Sequence, residues 1–189
     1  MGKKQPEESR RIRYTKMVLR DSLMELMKTK PISAISIKEI CSLADTSRST
    51  FYNYYTDQYD LLQKTEEETL AYVDSIFKKY AFHKNDTRTA ILMVEELLRY
   101  VADNNKSVYV LFSKNGNIDF QQSLFSSIYQ RNYLKSITDK LPDEKTKQCY
   151  FLFIATGTIG IIYNWIKNGM DTPIPELAKL LIKITSQIK

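Results

Sequence analysis

Between residues 9 and 28, Ile12, Leu19, Leu23, Leu26 and Met27 recur three or four positions apart, with Lys16 the polar exception on the stripe. That period belongs to an amphipathic helix, since the apolar positions of a half-buried strand alternate by two. Pro31 in "KPISAIS" disfavours helical backbone at Lys30 and ends the run. "SIKE" then has the spacing of a capping box, in which Ser36 accepts from the Glu39 amide and the Glu39 carboxylate reaches back. Ile37, Ile40, Cys41 and Ala44 give this short second helix one apolar face. "ADTS" reads as a turn, Ser47 as the cap of a third helix over 47–54, and Asp57 as the cap of a fourth that runs to about Tyr80.

After "AFHKND", helical patterning resumes over 87–103, 105–113, 118–140, 144–168 and 175–188. The separators "NN", "KNGN", "LPDE" and "NGMDTPIP" all carry turn chemistry. The expectation is an all-α chain of nine helices, with no strand and no internal repeat. A boundary between a small first unit and a larger second one is expected inside the helix that starts at Asp57.

Composition supports this picture. Of the 189 residues 43% are hydrophobic, enough to bury a core, and only five Gly and five Pro are present, few for a turn-rich β protein. The net charge of +6 is concentrated: residues 1–20 hold seven basic side chains against Glu7 and Glu8. Such a basic arm points to a polyanion, nucleic acid more readily than membrane. Two cysteines, Cys41 and Cys149, are too few for a disulfide framework and sit in apolar helical contexts that suit small core residues. With no secretory h-region in "MGKKQPEESRRIRY", a reducing cytoplasm is the expected location.

The segment "DTSRSTFYNYY" demands two faces. On a helix from Ser47, Phe51 and Tyr55 fall four apart, toward Leu23, Ile40 and Leu62. Arg48, Ser49, Tyr52 and Asn53 fall on the opposite side, with Thr50 and Tyr54 at its margin. Two short helices joined by a tight turn behind a longer one make a helix-turn-helix, whose second helix offers its first residues to the major groove. Arg48 has the fork that suits guanine or phosphate, Ser47, Ser49 and Thr50 are short hydroxyl partners, and the tyrosines offer hydroxyls to phosphates and rings to thymine methyls. Ser36 and Lys38 can hold the flanking backbone.

"ISIKEICSLADTSRSTFYNYYTDQYDLL" resembles the DNA-binding domain of the TetR/AcrR family of transcriptional regulators, in a Gram-positive-type branch with an RSTFY recognition-helix motif. The resemblance covers about residues 10–62. It implies that Arg48, Ser49, Thr50, Tyr52 and Tyr54 occupy DNA-contacting positions, and Phe51 and Tyr55 core positions. Three departures stand out. Asp45 replaces the glycine of the turn and must tolerate a positive φ. Tyr54 replaces a frequent histidine, and Gln58 a lysine that opens the fourth helix toward phosphate. The implied organisation is a disordered basic arm over 1–8, a helix-turn-helix domain over 9–60 and an effector-binding and dimerisation domain over 61–189.

"GTIGIIYNWIKNGMDTPIPELAKLL" resembles the end of the same branch, whose last two helices pair with their copies across a two-fold axis. The implied homodimer seam contains Gly157, Gly160, Ile161, Asn164, Trp165, Leu177 and Leu181. The run 149–166 is borderline in length for a membrane span; its threonines, glycines and Asn164 favour a helix buried between a core and a partner. Family members commonly hold a small effector in the second domain. Tyr72, Tyr100, Phe112, Phe125, Tyr129, Tyr133 and Phe153 are the candidate lining, although aromatics at helical spacing serve a core as readily as a pocket.

His83 stands alone in a polar loop, and no Cys/His metal spacing, glycine-rich phosphate loop or nucleophile elbow is present. The carboxylates of "TEEET" at 65–69 read as a solvated helix face. No enzyme chemistry, cofactor or metal is expected. Two functions follow: a homodimeric repressor on a palindromic operator, released by a small molecule, or a related interaction protein or coactivator that acts through a protein partner and binds DNA weakly.

Overall fold

Hydroxyl and carboxylate caps set where most of the helices begin. The computed structural model describes residues 10–80, 86–130 and 141–187. Among them lie nine α-helices and no strand: α1 Arg10–Met27, α2 Ile37–Leu43, α3 Arg48–Tyr52, α4 Gln58–Tyr80, α5 Thr87–Asp103, α6 Asn105–Leu111, α7 Ile118–Gln130, α8 Glu144–Lys167 and α9 Ile174–Gln187. A 3₁₀ turn over Ile32–Ala34 links α1 to α2. The Ser36–Glu39 capping box forms as its spacing requires, Ser47 caps α3, and Asp57 Oδ1 accepts from the Asp60 amide at 2.8 Å to open α4. Asp86 and Asp143 do the same for α5 and α8. The basic arm over 1–8, His83, Tyr133 and the expected helical stretch 131–140 lie outside the described residues.

α8 ends in a Schellman arrangement. The Met170 amide donates to Trp165 O at 2.8 Å and the Gly169 amide to Ile166 O at 3.0 Å, with Gly169 at φ 76°. Trp165 Nε1 then donates to Thr172 O at 2.8 Å, which turns the chain back so that α9 packs along α5.

Two apolar clusters organise the chain. The first joins Leu19, Leu23, Met24 and Met27 of α1 to Ile40, Phe51, Tyr55, Leu61 and Leu62, and also takes in Val110, Leu111 and Phe120 of α6 and α7. On α1, Ser22 and Met24 are buried too, whereas Leu26, on the predicted stripe, is half-buried. The second cluster packs Leu98 against Trp165, Leu177, Ala178 and Leu181. The expected boundary inside α4 is therefore bridged from the far side of the sequence by α6.

The α6–α7 loop fastens that bridge. Asn115 Nδ2 donates to Met27 O at 2.8 Å, satisfying a carbonyl that the end of α1 would leave open. Gly116 sits so tightly that a Cβ there would fall 2.2 Å from Leu111 O, which only glycine avoids. Asn117 Nδ2 donates to Glu66 Oε2 at 3.2 Å. Glu66 departs from the expected solvated face, for its side chain is buried and its Oε1 has no hydrogen-bond partner. Desolvation pushes its pKa up, with Asp119 and Glu67 adding to the rise and Asn117 opposing it.

A buried carboxyl with a raised folded pKa binds protons more tightly folded than unfolded. Its contribution to stability therefore falls as pH climbs from the ordinary value of 4.5 toward the raised value. Glu66→Gln is expected to be more thermostable than the parent near pH 7.5, with the gap closing as pH is lowered toward 4.5. Melting curves of both proteins across that range check it, and a gap independent of pH would place the effect elsewhere.

Candidate nucleic-acid interface and ligand cavity

The turn that presents α3 depends on one residue in an unusual conformation. Asp45 has φ 48°, and the Thr46 amide donates back to Cys41 O at 3.0 Å. Aspartate occupies this left-handed region more readily than most residues, so the turn survives without glycine. Ahead of it, Glu39 Oε1 accepts from Lys30 Nζ at 2.6 Å and Oε2 from the Ser36 amide at 2.9 Å. The Lys30 bond first, then the Ser36 bonds, hold the Glu39 pKa down at about 2.

α3 divides as its periodicity requires. Phe51 is 0% and Tyr55 6% exposed, whereas Tyr52 is 57% exposed. Arg48, Ser49 and Asn53 lie open beside Tyr52, and Thr50 and Tyr54 are half-buried at the margin. Tyr52 meets the edge of Phe51 with centroids 5.7 Å apart, so its ring is propped outward. Three predicted contact residues are occupied by the fold: Ser36 Oγ in its capping box, Ser47 Oγ with the Thr50 amide at 3.1 Å, and the Thr50 hydroxyl with Ser47 Oγ at 2.9 Å. Lys38 is exposed at the start of α2.

Beside this face, Arg13, Lys16 and Arg20 of α1 and Lys64 of α4 line a concavity of about 150 Å³ together with Glu68. Lys16 Nζ stands 5.9 Å from the Tyr54 ring, and Lys64 Nζ stands 5.2 Å from the Tyr55 ring and donates to Tyr54 O at 3.1 Å. Lys64 also pairs with Asp60 at 3.0 Å. Sequence reasoning missed Lys64. Its signal was the spacing of four from Asp60, which directs the ammonium toward the start of α4, where Gln58 supplies no charge.

A second site lies in the larger helical layer, where α4, α5, α6, α7, α8 and α9 surround a cavity of about 260 Å³. Tyr100, Phe112 and Phe125 line it as expected. Three other predicted lining residues do not. Tyr72 stacks on the outer face of Tyr100 with centroids 4.2 Å apart. Tyr129 hydrogen-bonds Glu144 and packs edge-on to Phe151, and Phe153 is 64% exposed. The missed lining comes mostly from aliphatic residues, among them Met93, Leu97, Ile159 and Ile162, which composition cannot tell from core.

α8 is less buried than its apolar sequence implied. Phe151, Ile154 and Trp165 turn inward, while Leu152, Phe153, Gly157, Gly160 and Asn164 are exposed. A Cβ built on Gly157 or Gly160 would meet nothing within 4 Å. Leu180 and Ile184 are exposed on α9. Of the expected seam residues, Trp165, Leu177 and Leu181 are instead buried within the chain, and Ile161 packs half-buried against them. They were misplaced because a helix apolar all round gives no sign of which side its own core takes.

Cys41 is buried, and desolvation raises its thiol pKa; Cys149, in contrast to expectation, is exposed. Among the described residues no group of three His, Cys, Asp or Glu side chains could hold a metal. By length and composition alone α8 is the one described helix that could cross a membrane.

A TetR-type family profile described as the transcriptional regulator C-terminal region (TetR_C_8) matches residues 88–187, just over half of the chain. YxbF of Bacillus subtilis strain 168, an uncharacterized HTH-type transcriptional regulator, is 21% identical over 174 residues, covering 89% of this chain. The chain spans only 44% of the length of that relative. A TetR-family transcriptional regulator from Bordetella parapertussis 12822 superposes with a TM-score of 0.67 at 16% identity, over 91% of this chain and 94% of that one. The transcriptional regulator FadR of Bacillus subtilis, solved in complex with stearoyl-CoA, gives a TM-score of 0.62 at 13% identity, over 90% and 97% of the two chains. With a family profile across its second half and the all-helical architecture shared with these regulators, the chain belongs to the TetR family of transcriptional regulators.

Proposed function

We propose that the chain is a homodimeric repressor whose two α3 helices read a palindromic operator, and that a small molecule in the cavity releases it from DNA. The observation that carries this reading is the division of α3: Phe51 and Tyr55 anchor the helix, leaving Arg48, Ser49, Tyr52 and Asn53 projecting together. Lys38, the α1 cations and Lys64 flank that face and suit phosphates. Lys3 and Lys4 of the arm offer two further cations to phosphate, although Glu7 and Glu8 leave residues 1–8 with no net side-chain charge. For self-association, Phe153, Gly157, Gly160 and Asn164 on α8 and Leu180 and Ile184 on α9 are all exposed, the apolar and small positions that two copies would bury in a four-helix seam. For release, the lining residues Val108 and Phe112 flank Val110 and Leu111, which belong to the core under α3. FadR bound to stearoyl-CoA gives a precedent for ligand binding in the same architecture.

The test is fluorescence anisotropy with DNA from upstream of the chain's own gene. Arg48→Ala and Tyr52→Ala are expected to lose about 1–3 kcal/mol each if they touch bases, with melting temperatures unchanged because both side chains are exposed. A phosphate contact would show instead as a salt slope lower by about one. Deleting residues 1–9 should also flatten the slope. Phe153→Glu should convert a dimer to a monomer in sedimentation and weaken binding to the palindrome. Unimpaired binding by both α3 variants would move the site elsewhere. Specific DNA binding by none of the proteins would favour the partner-driven reading, to which the Asp45 charge and the absent cation at Gln58 lend weight.

Asp45 makes its own forecast. Asp45→Gly removes a side chain held at φ 48° and a negative charge next to the proposed DNA face. Stability should rise by up to about 1 kcal/mol, and DNA affinity should rise with it. Urea denaturation and the same anisotropy titration read the two effects separately.

A further inference from the structure

The cavity is as informative about its occupant as about its existence, and the inference below rests on the effector reading above. No Asp, Glu, Lys, Arg or His lines it among the described residues. Five side chains bring hydroxyls: Thr69, Tyr100, Thr158, Tyr163 and Thr185. Four of these are already engaged. Thr69 Oγ1 donates to Thr65 O at 2.9 Å and accepts from the Tyr100 hydroxyl at 3.1 Å. Thr185 Oγ1 donates to Leu181 O at 3.0 Å. Tyr163 stacks on Tyr109 with centroids 4.6 Å apart, and their hydroxyls are hydrogen-bonded.

Thr158 is different. Among the described residues it is the lining hydroxyl with no hydrogen-bond partner, and it projects from the middle of α8 between Ile154 and Ile162, which also line the cavity. A charged group brought in here would lose its water and meet no counter-charge among the described residues, a cost that apolar contacts cannot offset. A neutral donor or acceptor would lose its water and find Thr158. We infer that the cavity takes an uncharged hydrophobic molecule with one hydrogen-bonding group, such as a long-chain alcohol, and that the Thr158 hydroxyl meets that group. An amphiphile with an anionic head would have to leave its head outside.

The test uses the full-length chain with pyrene, a fluorescent hydrocarbon that has no hydrogen-bonding group, as the reporter. Pyrene should enter an apolar environment on binding, and Ala155→Phe, which fills the lining with a larger ring, should block its entry. 1-Decanol should displace pyrene at concentrations at least about tenfold below those needed for decanoate at pH 8, in keeping with the cost of burying an unpaired charge. Thr158→Val keeps the shape and removes the hydroxyl. It should weaken decanol about three- to tenfold, the worth of one neutral hydrogen bond, and leave pyrene binding unchanged. Because that variant is nearly isosteric, the result does not depend on whether Ala155→Phe folds.

The outcomes separate the two layers of the reading. Equal displacement by decanol and decanoate overturns the inference about charge while leaving an effector cavity in place. Unchanged decanol affinity in Thr158→Val overturns the assignment of that hydroxyl. If neither pyrene nor either decyl compound binds, the effector reading itself fails.

Discussion

The head that carries α3 does not own a complete core. Leu19, Leu23, Met24 and Phe51 are sealed with the help of Val110 and Leu111 from α6 and Phe120 from α7, which lie more than fifty residues further along the chain. Close packing tolerates little displacement, so a shift of α6 must be answered by the helices it touches. The Asn115 bond to Met27 O and the glycine at 116 keep that contact in one register. The same α6 presents Val108 toward the cavity. What lies in the cavity and what lies under α3 are thus separated by a single short helix.

Polar chemistry is distributed in keeping with this constraint. Caps at Ser36, Ser47 and Asp57 spend their oxygens locally and define where three helices start, at roughly 1 kcal/mol each. The buried Glu66 is the exception, a carboxylate held at the junction by one amide and otherwise unpaired. Surface pairs such as Lys28–Glu25 and Lys78–Asp74 sit in solvent and contribute little to stability.

How much of this was legible beforehand depends on the distance over which each feature is decided. The caps, the turn at Asp45 and the two faces of α3 are settled within a few residues, by hydrogen bonds and a period of 3.6, and the sequence displays all of them. Glu66 looked like its neighbours Glu67 and Glu68 because its burial is decided by Asn117, fifty-one positions away. Trp165, Leu177 and Leu181 were assigned outward and Phe153 inward for a related reason. A helix with apolar residues on every side states that it will be covered, but not which side its own chain will cover. Tyr72 and Tyr100 show the same ambiguity at the scale of a ring pair, one lining the cavity and the other backing it.

The inward placement of Trp165, with its indole donating to Thr172 O and its ring packed among Leu98, Leu177 and Leu181, carries one more consequence. Trp165 is already enclosed by its own chain, so the packing around it does not wait for a second copy to arrive. In the homodimer proposed above, folding and pairing would then be successive events, and mixed assemblies from differently tagged copies would arise by exchange without either copy unravelling.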